Sequence, residues 1–544
     1  MKHTLIRTSA YALGVASIAL FGLSAQAAMV PAGATLADDQ TFTMRVLSEF
    51  DAIDPQLSET VDAAGVERDL FEGLFNQDAE GNLVPGVALS YDLSDDKTVY
   101  TFHLRPEAMW SDGNPVTAGD FEYAWKRLAD PATGSPYQWY VTIMGLKNGD
   151  AVTAGDMPLD DLGVKAIDDH TLEVTLEQPT PYFTKTTVNA STFPVPKWVI
   201  DEYGDDWTLP EHIVGNGAYI LTEHVPNERL VRERNPKYWD DAHTVITKTT
   251  SLIINDENIA LARWKAGEVD RTEVPTGQFP TLKSEYPDSA LSAPRLCTYY
   301  YWYNETDTGP EALKDVRVRQ ALSYAVDRNV ITDQILQGGQ FPAYTFTPAA
   351  TAGFTPPSVP FGEMTQAERD EKAKELMAAA GYGADNPLAF DLNYNTSEAH
   401  KQIATVIAQM WKTKLGVDAT LVNMEGQTYF SELRNGNFDV ARSGWCGDYN
   451  EASTFLDLVR TDSGQNDGHY SNAEVDALMA EAKTMEDPNA NYEKVEQIIA
   501  EDMPIIPVYH YATSFMIDPG LAQSWPLGNV EQNWYSKDLY RIAK

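Results

Sequence analysis

The chain has 544 residues, enough for two or three domains with large cores, and its hydrophobic content of 43% points to a globular protein. With 40 basic and 80 acidic side chains the formal charge is −40, a surface that repels nucleic acid and anionic lipid and excludes both as partners. Self-repulsion on this scale serves solubility, and it also suits a salty habitat or cationic ligands.

At the start, Lys2 and Arg7 precede an apolar run over about residues 10–23, and Ala25-Gln26-Ala27 offers small residues for cleavage. This is the layout of a secretory signal peptide over residues 1–27, with a mature chain beginning near Ala28. No later stretch is apolar for long enough to cross a bilayer, and no cysteine lies near the cleavage site to carry a lipid. The expectation is a soluble, unanchored protein of the periplasm.

Further along, strand-like and helix-like segments alternate. Residues 99–105 alternate as a strand, and Thr117 with Asp120 forms a capping box for a helix whose apolar face is Phe121, Ala124, Trp125 and Leu128. Residues 159–176 read as a second βα-type passage ending in the strand Thr171-Leu-Glu-Val-Thr-Leu. Proline-rich Gln178-Pro-Thr-Pro and Phe193-Pro-Val-Pro then flank a candidate boundary. Thr365 with Glu368 opens a helix carrying Ala373, Leu376, Met377 and Ala380 and ending at Gly381. Ser397 caps the next helix, with Ile403, Ile407, Met410 and Trp411 inward and Gly416 at its end, and residues 417–422 resume as a strand. Helix followed by strand, repeatedly, predicts an α/β protein with mixed sheets layered by helices.

In residues 442–455 (Arg-Ser-Gly-Trp-Cys-Gly-Asp-Tyr-Asn-Glu-Ala-Ser-Thr-Phe) a cysteine, a carboxylate, an arginine and aromatics come together where a strand from Phe438 gives way to a turn. A carboxylate beside a large aromatic is expensive to bury unless a cation pairs with it, and a ligand ammonium would serve; the alternative is a surface loop with a structural cysteine. Cys297 and Cys446 are the only two cysteines, and an even count in an exported chain predicts one disulfide. None of the nine histidines begins a His-Glu-x-x-His zinc helix, and neither a Gly-x-Ser-x-Gly elbow nor a phosphate-cradling Gly-x-x-x-x-Gly-Lys-Ser/Thr loop occurs. An enzyme is thus the minority reading, with no cofactor and no metal expected.

Asp69-Leu-Phe-Glu-Gly-Leu, Tyr100-Thr-Phe-His-Leu-Arg, Trp110-Ser-Asp-Gly, Asn216-Gly-Ala-Tyr, Leu296-Cys-Thr-Tyr-Tyr-Tyr and Gly444-Trp-Cys-Gly-Asp-Tyr-Asn-Glu, in this order, resemble the periplasmic oligopeptide-binding proteins that deliver peptides to ATP-binding-cassette importers. The resemblance implies a two-lobed periplasmic binding protein with an extra domain, three domains in all, closing by a hinge on an extended peptide. Carried onto this chain, the first ligand-binding domain is 28–72, 197–296 and 514–544, the extra domain 73–196, and the second ligand-binding domain 297–513. It implies short peptides and inner-membrane permease subunits with separate ATPase chains as partners, a monomer, and no direct membrane insertion. A murein-peptide or dipeptide receptor is the alternative within the family, and a secreted peptidase-like hydrolase or chaperone the alternative outside it.

Residue by residue, the resemblance makes Asp448 the partner of the peptide's N-terminal ammonium. Glu59, Thr60 and Val61 match a segment whose backbone pairs with the peptide as an added strand, with Gly444, Trp445 and Cys446 as the counterpart on the opposite lobe. Tyr137 and Trp445 match aromatics lining the site, and Arg442 and His400 match positions that meet the C-terminal carboxylate at different ligand lengths. Three departures stand out: Gly426 replaces an aromatic residue, Leu336 stands near the place of a lysine, and Arg434 is displaced by one from an arginine expected near Leu433.

Overall fold

The computed structural model describes residues 17–18 and 28–543. Lys2, Arg7, Ala25, Gln26 and Ala27, which carry the signal-peptide reading, lie outside the described residues.

A mixed sheet of eleven strands runs through the molecule. Its order is Asp418–Met424, Ala389–Asn395, Val440–Cys446, Ala290–Tyr303, Ile505–Ile517, Arg271–Glu273, Thr41–Val46, Lys248–Ile253, Arg229–Arg234 and Tyr219–Val225, with the short Phe341–Pro342 also on Ile505–Ile517. Helices cover it. The two long central strands, Ala290–Tyr303 and Ile505–Ile517, are antiparallel and pass through both halves of the molecule. Their register slips between Pro294 and Thr298 and again between Tyr299 and Tyr300. Pro294 has no N–H to give to the ladder, so the pairing loosens there and bends the ribbon. On one side of the slip, Phe515 and Ile517 pack into a large core with Phe42, Val66, Phe102 and Trp125. On the other, Tyr299, Ile506 and Val508 pack with Val318, Ile403 and Trp411. Two lobes joined by a pair of irregular strands form the hinged architecture that the resemblance implies.

Residues 73–196 carry a separate antiparallel sheet in which Ala88–Leu93, Val99–Leu104, Thr171–Thr175 and Val164–Asp168 are neighbours in that order. The passage 159–176 is therefore a β-hairpin, with Val164 opposite Val174, and not a βα unit. The chain reverses at a turn after Asp168, and the alternation of Val164 and Ala166 is too short to be told from a helical face by period alone. The predicted helices form where their caps place them. Ala118–Ala129 begins with the Thr117–Asp120 capping box and buries Phe121, Ala124, Trp125 and Leu128, and Gln366–Ala379 begins with the box of Thr365 and Glu368. Glu398–Leu415 starts after Ser397, whose side chain makes no cap bond, and ends at Gly416 with φ 73°.

The lobes touch. Tyr182 stacks on Tyr449 with centroids 5.3 Å apart, Trp139 meets Trp445 at 5.9 Å, and Lys483 Nζ donates to the Thr142 carbonyl. At the rim, Arg434 Nη1 forms an ion pair with Glu59 Oε1 at 2.5 Å.

Candidate functional site

Strand Val440–Cys446 sets out most of the cleft's polar groups. Its neighbour on one side, Ala290–Tyr303, pairs with it along its whole length, with Cys297 opposite Cys446. Its neighbour on the other side, Ala389–Asn395, pairs only at Val440 and Ala441. From Arg442 onward the second edge has no strand beside it. Tyr429 Oη donates to the Arg442 carbonyl, and Gly447 N donates to the Leu296 carbonyl. Because successive residues of a strand point their N–H and C=O groups to opposite sides, Gly444 and Cys446 turn theirs to the open edge with Arg442. Gly444 is exposed there, which leaves a short edge able to accept one more strand. The disulfide Cys297–Cys446, between residues 149 apart in sequence, ties the inner edge at this point.

Asp448 follows directly. Its backbone N–H donates to Thr454 Oγ1 at 3.0 Å, which fixes the turn. From the opposite lobe, Tyr137 Oη at 3.1 Å and Asn189 Nδ2 at 2.8 Å both donate to Oδ1. Oδ2 is buried with no hydrogen-bond partner. Burial pushes the Asp448 carboxyl up to about 7, with the Glu531 carboxylate adding to the rise and the Tyr137 and Asn189 bonds opposing it. A desolvated carboxylate with one oxygen unmatched is stabilised by a cation that brings its own N–H groups. The indole N–H groups of Trp139 and Trp445 are likewise buried without a partner.

At the other end of the open edge lies the opposite charge. Arg442 is buried, stacks over the Tyr299 ring at 4.8 Å, and donates to Tyr511 Oη at 3.1 Å and Asn395 Oδ1 at 3.3 Å. Among the described residues it has no carboxylate partner, and its Nε is unmatched. Burial works against its charge, but the phenols of Tyr511, Tyr299, Tyr429 and Tyr509 raise its pKa above the usual value. His400, third residue of its helix, faces Tyr299 with ring centroids 5.6 Å apart and leaves Nδ1 unmatched. Burial, then the Arg442 guanidinium, lowers its pKa well below the usual histidine value, so it is a neutral N–H donor in this arrangement and not a second cation. An anion buried here meets one full positive charge and a ring of hydroxyls.

Glu59, Thr60 and Val61 are extended only in part. Thr60 is the N-cap of helix Val61–Leu70, at φ −104° and ψ 148°, so Val61 is already its first turn. The Glu59 N–H is taken by Asp51 Oδ2 and the Thr60 hydroxyl by Asp51 Oδ1 at 2.7 Å. The three residues do not form a free strand edge equal to that of Gly444 and Cys446. Of the departures, Leu336 is buried in the second lobe's core, a Cβ on Gly426 would meet nothing within 4 Å, and Arg434 reaches Glu59 across the rim. Sequence reading missed Asn189, Tyr511, Asn395 and Glu531, all of which reach the cleft. Each lies far along the chain from the residue it serves and in a local pattern that reads as ordinary polar loop or strand.

Two lobes that close over desolvated, unmatched charges of opposite sign define a solute-binding protein. The chain belongs to the bacterial extracellular solute-binding proteins, family 5, whose middle-region model matches residues 82–467. It is 45% identical to the "Periplasmic oligopeptide-binding protein OppA" of Salmonella typhimurium, over 98% of this chain and 99% of that one. Its fold matches the structure of the Escherichia coli murein tripeptide binding protein MppA with a TM-score of 0.91 at 43% identity, covering 94% of this chain and 100% of that one. A structure titled as the unliganded open form of MppA, at the same 43% identity and covering 94% of this chain and 99% of that one, gives only 0.69. At equal identity, the lobes here are set more nearly as in the first structure than as in the open form. No helix among the described residues is long and apolar enough to cross a membrane.

Proposed function

We propose that this protein is a periplasmic receptor that binds short peptides in an extended conformation and hands them to an ATP-binding-cassette importer. The observation that carries the reading is the pair of buried, unmatched charges, Asp448 and Arg442, at the two ends of one open strand edge. A peptide is a zwitterion with a backbone between its charges. Its ammonium fits Asp448, its carboxylate fits Arg442, and its main chain adds to Gly444 and Cys446 without reading side chains, so one site accepts many sequences. From Arg442 to Cys446 the strand advances roughly 13 Å, and an extended tripeptide spans roughly 10 Å, so the two ends match a short ligand.

Within this reading, 28–72, 197–296 and 514–544 form the first ligand-binding domain, 73–196 the extra domain and 297–513 the second. Trp445 and Tyr137 line the site, Glu59 and Thr60 border it, and His400 donates a hydrogen bond to the carboxylate of a longer ligand. The chain acts as a monomer, performs no catalysis and docks on permease subunits whose ATPases are separate chains. Relatives named as periplasmic support that compartment. The fold match to a murein tripeptide binding protein favours a second reading, in which murein peptides are the main ligands. Mass spectrometry of ligand released from gently purified protein tests both. A ladder of mixed short peptides supports the general receptor, a single murein peptide supports the second reading, and a non-peptide solute or turnover of added peptide overturns both.

A further inference from the structure

Beside Asp448 the cleft holds a second acid that the peptide-receptor reading does not use. Glu531 comes from the C-terminal segment and is only 7% exposed. Gln77 Nε2 donates to its Oε2 at 2.5 Å, and its own N–H donates to Asn529 Oδ1 at 3.0 Å, so the side chain is fixed. Its Oε1 is buried with no hydrogen-bond partner, and Glu531 takes part in no ion pair among the described residues. The next residue, Gln532, is held at φ 55°, a backbone conformation that costs a non-glycine residue energy and turns the chain at this point.

The chain segments that carry Glu531 and Asp448 are tied together. Leu296 donates its N–H to the Val530 carbonyl at 2.6 Å and accepts from Gly447 N at 2.8 Å, so a single residue ties the positions just before each acid. Both carboxylates also raise the pKa of the Tyr140 phenol, after burial, and Glu531 raises that of Asp448. Two cations act on Glu531 from a distance, Lys185, whose Nζ donates to the Asn450 carbonyl at 3.0 Å, and Arg68, whose Nε donates to the Trp534 carbonyl at 3.4 Å, and neither forms an ion pair with it.

We propose that Asp448 and Glu531 form a subsite for a first residue carrying two amino groups, with Asp448 holding the α-ammonium and Glu531 the cationic side chain of a lysine-like residue. This specificity rests on the peptide-receptor reading above. A carboxylate that is buried, fixed and half-matched gains a charge-assisted hydrogen bond from such a side chain, whereas an apolar side chain of the same length leaves it unmatched.

Titration calorimetry on the full mature chain with Lys-Ala-Ala, norleucine-Ala-Ala and Ala-Ala-Ala tests the proposal, since norleucine keeps the length and removes the charge. The expected result is roughly tenfold or tighter binding of the lysine peptide over the norleucine peptide, with the ratio falling to about one in Glu531→Gln. Equal affinities of the two peptides in the unmodified protein overturn the proposal without any variant, which covers a variant that fails to fold. A lysine preference that survives Glu531→Gln overturns it as well. Failure of all three peptides to bind overturns the peptide-receptor reading and this inference with it, and is distinct from equal binding.

Discussion

Asn189 donates to Asp448 Oδ1 at 2.8 Å from a position 259 residues earlier in the chain and from the other lobe. The bond joins the two lobes, so the carboxylate proposed to hold the peptide ammonium is also a point of contact between them. Tyr137 makes the second such bond. Neither satisfies Oδ2, so closure alone leaves Asp448 short of one partner and the ligand completes it.

Asp448→Asn should weaken binding of free-amino peptides by about 3 to 5 kcal/mol, roughly two to four decades, because it removes one partner of a buried ion pair. N-acetylated peptides should bind the unmodified protein poorly for the same reason. Calorimetry that finds equal affinity for free and acetylated forms removes Asp448 from this role.

Closure without ligand should depend on pH. Burial raises the carboxyls of Asp448 and Glu531 to about 7 each. A carboxyl whose pKa is raised on closure holds its proton more tightly when closed, so closing takes up protons; it is favoured as pH falls below about 7 and opposed above it. Small-angle scattering of ligand-free protein should therefore give a smaller radius of gyration at pH 5 than at pH 8. In Asp448→Asn the difference should shrink. A radius independent of pH would show that these acids stay solvated on closure.

Most of the architecture is legible in the sequence because caps and apolar periods are local: Thr117 with Asp120 and Thr365 with Glu368 open helices where their spacing places them. Thr171–Thr175 is legible as a strand, but its partner Val164–Asp168 is not, because five residues carry too little period to set a strand apart from a helical face. At the site, Asp448 and Arg442 are recognisable from a run that concentrates unusual chemistry. Glu531 is not, since nothing in Glu531-Gln-Asn-Trp distinguishes a buried acid from a solvated one until the fold ties the preceding Val530 to Leu296. The role of Thr60 as a helix cap is likewise set by a contact outside the local pattern, since Asp51 takes the Glu59 N–H and the Thr60 hydroxyl.

The rim ion pair Arg434–Glu59 should contribute little to affinity. Its side chains are 45% and 21% exposed, so water and salt screen it, and such pairs are worth about 0 to 1 kcal/mol. Glu59→Gln should speed peptide dissociation by less than about fivefold in stopped-flow fluorescence, with the effect fading at high salt. A loss of several decades would make it a principal latch.

Cys297 and Cys446 close a loop between residues 149 apart, at the end of strand Val440–Cys446. Chain-entropy arguments assign a bridge of that span about 4 to 5 kcal/mol. Reduction, or Cys297→Ser with Cys446→Ser, should lower the melting temperature and leave the Asp448 and Arg442 anchors in place. Non-reducing peptide mapping should recover both cysteines in one linked fragment. Two alkylatable thiols in the native protein would refute the bridge.

Ligand length should follow from where the positive charges stand. A closed site must neutralise the terminal carboxylate wherever it falls, because an unpaired buried ion costs several kcal/mol. Arg442, anchored by Tyr511, Asn395 and the Tyr299 ring, is the full charge at the short register. Leu336, near where a lysine would serve the next register, is packed into the second core and offers none. His400 is neutral where it sits and gives only a hydrogen bond. Tripeptides should therefore bind more tightly than tetrapeptides, and Arg442→Ala should cost tripeptides about 3 to 5 kcal/mol. The open space at Gly426 should leave bulky second side chains tolerated without the stacking an aromatic residue would add. Calorimetry on an alanine-rich series of two to five residues, with the unmodified protein and Arg442→Ala, measures the ruler. Preference for tetrapeptides, or tripeptide affinity unchanged in Arg442→Ala, would place the carboxylate on another group.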